Sequence, residues 1–127
     1  MNSGLRHNQF QRFIFLGIGG IGMSALARYL LICGKSVLGF DRSSSEITLE
    51  LQNRGVQIVH DINPEMQWFA PELAPQTLIV FTPALALSDP WMIAAKNSEF
   101  TMVKRAELLG AISAESNHLL AVAGTHG

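Results

Sequence analysis

From Arg12 onward, short apolar runs alternate with longer stretches in which apolar residues recur at helical spacing. Phe13-Ile14-Phe15-Leu16 has the length and continuity of a buried strand, and Ile21 to Cys33 reads as a helix closed by Gly34 just past its C-cap. Ser36 to Phe40 gives a second strand. Ser43 with Glu46 three residues later has the form of a capping box, which predicts a helix running to Arg54 and stopped by Gly55. Val56 to Val59 is a third short strand, and a helix of undefined length is expected after Asn63-Pro64. Thr77-Leu78-Ile79-Val80-Phe81 is the clearest strand, ended by Pro83, and Pro90 suits the first turn of a helix through Asn97. Phe100 to Val103, Ala106 to Ser113 and Leu119 to Ala123 complete the series as strand, helix and strand.

A parallel strand must be reached by a crossover, so strands alternating with helices predict a mainly parallel sheet covered on both faces. The expected class is α/β, doubly wound. The polar residues Met1 to Gln11 predict a flexible arm, residues 12–117 one domain, and residues 118–127 the first strand and loop of another. With 48% hydrophobic and 15% charged residues among 127, the chain is long and apolar enough to bury a core without disulfides or metals. A net charge of -1 supplies no field to attract nucleic acid or an anionic membrane, so any anionic ligand must be held by local geometry. Cys33 is the one cysteine, which excludes a disulfide framework and suits a reducing cytoplasm; it reads as buried structure near a helix end. The histidines at 7, 60, 118 and 126 are too dispersed to suggest a metal cluster.

The chemistry concentrates in Gly17-Ile18-Gly19-Gly20-Ile21-Gly22, a G-x-G-x-x-G placed between a strand and a helix. In a Rossmann-like site the first glycine permits a tight turn, the second lets backbone approach a pyrophosphate, and the third lets helix pack on strand. Open N–H groups and the positive end of the helix dipole then face the anion. Ser24 has a hydroxyl in the first turn, and Asp41 after the second strand is the acid expected to accept from ribose hydroxyls, or else a plain helix-approach residue. The loop suits a dinucleotide and a uridine nucleotide equally. The same stretch, Phe13 to Ala27, superficially imitates a secretory signal, but its glycines each disfavour helix by about 1 kcal/mol relative to Ala.

At the other end, Gly124-Thr125-His126-Gly127 opens a phosphate-binding loop without supplying the Lys and Ser/Thr that such a loop uses. The chain is therefore expected to be a piece of a larger enzyme. Gly17-Ile-Gly-Gly-Ile-Gly-Met-Ser24 followed by Ala121-Val-Ala-Gly-Thr-His-Gly127 resembles the Mur ligase family. Gly39-Phe-Asp41, Thr82-Pro83-Ala84 and Lys104-Arg-Ala-Glu-Leu-Leu-Gly110 also look like family segments, in order along the chain.

The resemblance implies a cytoplasmic, three-domain, ATP-dependent enzyme of peptidoglycan synthesis. Its first domain would bind the UDP part of UDP-N-acetylmuramate, the central domain ATP and Mg²⁺, and the last L-alanine. The muramoyl carboxylate would become an acyl phosphate that the amine attacks to form an amide. Carried over by residue, the Gly19, Gly20, Ile21 and Gly22 backbone would hold the pyrophosphate, with Met23 and Ser24 beside it. Asp41 and Arg42 would meet the ribose and uracil end, and His60 resembles a family histidine near the nucleotide. Thr82, Pro83 and Ala84 would form the opposite wall, while Gly124, Thr125, His126 and Gly127 would begin the ATP loop. Phe40 departs from the small residue usual before the acid. This portion alone is expected to bind without catalysis and to need no cofactor, nucleic acid or membrane.

Two other readings use the same residues. Gly17 to Gly22 with Asp41 alone would fit an NAD(P)-binding oxidoreductase domain, and a natural end at Gly127 would fit a non-catalytic nucleotide sensor. Lys104 and Arg105 could add positive charge to the site but read first as a solvated basic pair, and Trp68-Phe69 and Trp91-Met92 read as core or rim.

Overall fold

The computed structural model describes residues 7–115. Five strands form one parallel sheet: β1 Arg12–Leu16, β2 Ser36–Phe40, β3 Gln57–Val59, β4 Thr77–Phe81 and β5 Thr101–Lys104. Their order across the sheet is β3-β2-β1-β4-β5. Among the described residues four α-helices accompany them: α1 Ile21–Ile32, α2 Glu46–Asn53, α3 Pro90–Asn97 and α4 Arg105–Glu115. The class expected from the alternation is the one observed, and the reason is visible in β1. Successive side chains of a strand point to opposite faces. Phe13 and Phe15 accordingly enter one core with residues of α1, α2 and α4, whereas Ile14 and Leu16 enter a second core with Trp91 and Met92 of α3. All four are fully buried, which is why β1 reads as an unbroken apolar run.

The second core is aromatic. Trp91 stacks on Phe40 at 5.0 Å between centroids, leans on Trp68 at 5.0 Å, and donates its indole N–H to Asp61 O at 2.9 Å. These contacts fasten α3 and the β3–β4 connection to the sheet.

Several local expectations are corrected. The helix cap at α2 is Ser45, whose hydroxyl accepts from Thr48 N–H while the Thr48 hydroxyl accepts from Ser45 N–H. Ser43 is unavailable for that role because its N–H turns back to Asp41 Oδ1 at 3.0 Å. No α-helix forms between Pro64 and β4; two 3-10 turns, Met66–Phe69 and Pro71–Gln76, fill the connection. Pro71 and Pro75 remove the donors a continuous helix needs. The loose arm expected through Gln11 gives way, from His7 on, to packed chain: Phe10 is 3% exposed and edge-on to Phe13, and its carbonyl accepts from Lys35 Nζ at 2.8 Å. Buried His7 and the backbone bonds of Gln11 to Gln76 and Ser36 hold this polar segment against the core together with Phe10. Cys33, expected buried, is exposed. The strand expected over Leu119 to Ala123 and the loop Gly124 to Gly127 lie outside the described residues.

Candidate functional site

The strand order reverses at β1. From β1 the chain moves outward to β2 and β3, then returns to pair β4 on the other side of β1. In an open parallel sheet the loops at such a point leave in opposite directions and open a crevice at the carboxyl ends of the strands. The cleft here, about 560 Å³, lies at that place. Gly17, Gly20, Gly22 and Met23 line it after β1, Asp41 and Arg42 after β2, Thr82, Pro83 and Ala84 after β4, and Arg105 after β5.

Sequence dictates the glycine loop by two routes. Gly17 has φ +93°, a left-handed conformation that a side chain would strain. Its N–H and that of Ile18 both donate to Phe40 O, at 2.7 and 3.0 Å, clamping the turn to the end of β2. Gly19 is needed for space: a Cβ there would stand 2.7 Å from Asp41 Oδ2 and 3.2 Å from the buried Thr48 Cγ2. In that space Gly19 N–H donates to Asp41 Oδ2 at 2.8 Å. The Asp41 carboxylate, which also accepts from Ser43, thus ties the glycine loop to the β2–α2 connection.

α1 begins at Ile21 with Gly20 as its N-cap; no side chain caps it and its first turn carries no acid. The helix start therefore presents N–H donors and the positive dipole end without a built-in anion. Gly22 serves a purpose the fingerprint did not suggest. A Cβ on it would meet Arg105 Cδ at 2.9 Å and Nη1 at 3.2 Å, so its missing side chain makes room for a guanidinium arriving from α4.

The other expected residues divide. Met23 and Arg42 line the cleft, and Arg42 Nη2 lies 3.8 Å from Oδ2 of Asp89, the buried N-cap of α3. Thr82 and Ala84 line it too, but Ala84 N–H donates to Thr82 Oγ1 at 3.2 Å, so these groups first serve their own turn. Ser24 is 1% exposed and donates its hydroxyl to Ile21 O at 3.0 Å, away from the cleft lining. His60 is also outside the lining; its Nδ1 is 2.7 Å from Asp41 O, which accepts, so Nδ1 carries the proton. It holds the backbone beside Asp41. Arg105, which the sequence offered as added positive charge but favoured as solvated, lines the cleft; its place directly after β5 was a signal, since carboxyl ends of strands build such sites.

The family model described as the Mur ligase family, catalytic domain, matches residues 12–117. The chain belongs to the Mur ligase family. This Mur ligase chain is 43% identical over 124 residues to the UDP-N-acetylmuramate--L-alanine ligase of Christiangramia forsetii, covering 94% of itself and 26% of that protein. To the enzyme of the same description from Parabacteroides distasonis it is 41% identical over 120 residues, with the same coverages of 94% and 26%. It thus spans about a quarter of the length of these relatives. The crystal structure of UDP-N-acetylmuramate-alanine ligase from Thermotoga maritima is similar with a TM-score of 0.66 and 28% identity, over 77% of this chain and 21% of that one. Among the described residues, no helix of the chain is long and apolar enough to cross a membrane.

Proposed function

We propose that this chain is the nucleotide-sugar-binding portion of a cytoplasmic ATP-dependent ligase that joins L-alanine to UDP-N-acetylmuramate in peptidoglycan synthesis. The observation that carries this reading is the uncapped, acid-free start of α1 opening into a cleft at the strand-order reversal, in a chain whose relatives bear that enzyme's name. Backbone N–H groups at Ile21 and Gly22 hold the pyrophosphate, while Gly20 N–H donates to Gly17 O at 3.3 Å and Gly19 N–H to Asp41, so these two shape the loop. Asp41 and Arg42 lie toward the nucleoside, and Thr82, Pro83 and Ala84 form the facing wall.

Asp41 performs two tasks under this reading. It fixes the glycine loop through Gly19 and leaves its remaining lone pairs for ligand hydroxyls. His60 acts one step back, holding the Asp41 carbonyl. Met23 fills the floor beneath the loop, and Ser24 stabilises the first turn of α1 through Ile21 O. ATP with Mg²⁺ supplies the phosphoryl group that activates the muramoyl carboxylate, its loop beginning at Gly124, Thr125, His126 and Gly127, outside the described residues. L-alanine is the second substrate.

Calorimetric titration tests the assignment. UDP-N-acetylmuramate and UDP are expected to bind the 127-residue chain saturably, and NADH not to compete. Saturable NADH binding with no response to UDP-N-acetylmuramate would overturn it.

A further inference from the structure

Arg105 stands apart from the other arginines of the described residues. Arg12 donates to Trp68 O and Thr77 Oγ1, Arg28 and Arg54 pair with Glu50, and Arg42 faces Asp89. Among the described residues no carboxylate lies within ion-pair distance of Arg105. The acid closest to it in sequence, Glu107, is engaged by Lys104 N–H, from which it accepts at 2.8 Å. Yet Arg105 is half-buried, and it lies where a cation is least welcome. Its guanidinium packs against Gly22 in the first turn of α1, at the positive end of the helix dipole, in a turn that has no acid. Asp41, the carboxylate in the cleft lining, stands after β2, whereas these two positive fields meet at the β5 end and define a place for an anion between them.

The sheet says which part of an anionic ligand that is. Asp41 and Arg42 follow β2, the glycine loop follows β1, Thr82 to Ala84 follow β4, and Arg105 follows β5. From β2 to β5 is three strand spacings, about 14 Å, so Arg42 and Arg105 guard opposite ends of the cleft. Resting on the reading that the nucleoside lies on the Asp41 side, we propose that Arg105 is the specificity residue for the second phosphate. It clamps the distal phosphate of a nucleoside diphosphate against the α1 N-terminus and so distinguishes a diphosphate from a monophosphate. A guanidinium suits this work because its fork can engage two phosphate oxygens at once. Gly22 belongs to the same device, because any side chain there would push the fork out of the cleft.

The test is a comparison of UDP with UMP, titrated into the unaltered chain and into Arg105→Met and Arg105→Lys, with circular dichroism confirming that the helices persist. Met keeps the apolar stem and loses the charge; Lys keeps the charge and loses the fork. For a charge-assisted contact, Arg105→Met is expected to weaken UDP roughly tenfold to a hundredfold and UMP by less than about threefold, with Arg105→Lys between. Equal weakening of both nucleotides, or UDP binding that Arg105→Met leaves intact, overturns the assignment of Arg105 alone. Failure of the unaltered chain to bind UDP overturns the cleft reading and this assignment with it.

Discussion

Gly19→Ala is expected to destabilise the chain far more than Gly20→Ala, although the two glycines are adjacent in one loop. At Gly19 the new methyl would stand 2.7 Å from Asp41 Oδ2, 3.2 Å from Asp41 Cγ and 3.2 Å from Thr48 Cγ2. Thr48 cannot retreat: it is fully buried, and its hydroxyl and N–H are both engaged with Ser45. The Asp41 carboxylate must therefore move and release the 2.8 Å bond from Gly19 N–H. A lost charge-assisted bond costs about 1.5–3 kcal/mol, and overpacking typically another 1–3. Partial exposure of Asp41 brings the expected sum to the lower half of that range, roughly 2.5–4 kcal/mol. At Gly20 the nearest atom is 3.6 Å away and φ is -67°, so a methyl is accommodated with a change within about 1 kcal/mol. Urea denaturation followed by tryptophan fluorescence measures both. Equal midpoints for the two variants would refute the argument that Gly19 is required for space.

Gly39→Ala should be more damaging still. A Cβ there would overlap the Ile18 side chain and lie 2.7 Å from Ile18 Cβ, and Ile18 is pinned by its N–H bond to Phe40 O. A loss on the order of 3 kcal/mol, read as a lowered thermal midpoint, is expected; an unchanged midpoint contradicts the packing described. His7 predicts a pH dependence. Burial lowers its pKa from 6.5, Glu115 at 3.7 Å opposes that shift, and Lys35 adds to it. The unfolded chain therefore takes up the proton first as pH falls, and stability should decline below pH 6.5 until the folded pKa is passed. His7→Gln should flatten this slope in urea titrations between about pH 7.5 and 5.5; an unchanged slope refutes it.

The strands of the sheet were legible because their signals are local and redundant. β1 and β4 are apolar on both faces, and Gly34 and Gly55 end α1 and α2 with positive φ as their positions suggested. The glycine loop was legible too, since a strand, a turn of fixed spacing and a helix leave few alternatives. What escaped the sequence depends on partners distant along the chain. Ser43 and Ser45 are equivalent as candidate caps until Asp41 draws Ser43 away. Ser24 has a hydroxyl at the right height, yet Ile21 O is the nearer acceptor. Gly22 looked like a residue for helix packing and instead accommodates Arg105, more than eighty positions later. Only the strand order brings those two together.

The central claim is that a uridine diphosphate lies across the carboxyl ends of β2, β1, β4 and β5. Amide chemical shifts of the isotope-labelled chain, followed during titration with UDP, test it most directly. The account predicts perturbations concentrated at Gly17 to Met23, Asp41 and Arg42, Thr82 to Leu85 and Arg105. Perturbations confined to the opening at the other end of the strands, around Arg12, Lys35 and Trp68, would contradict it.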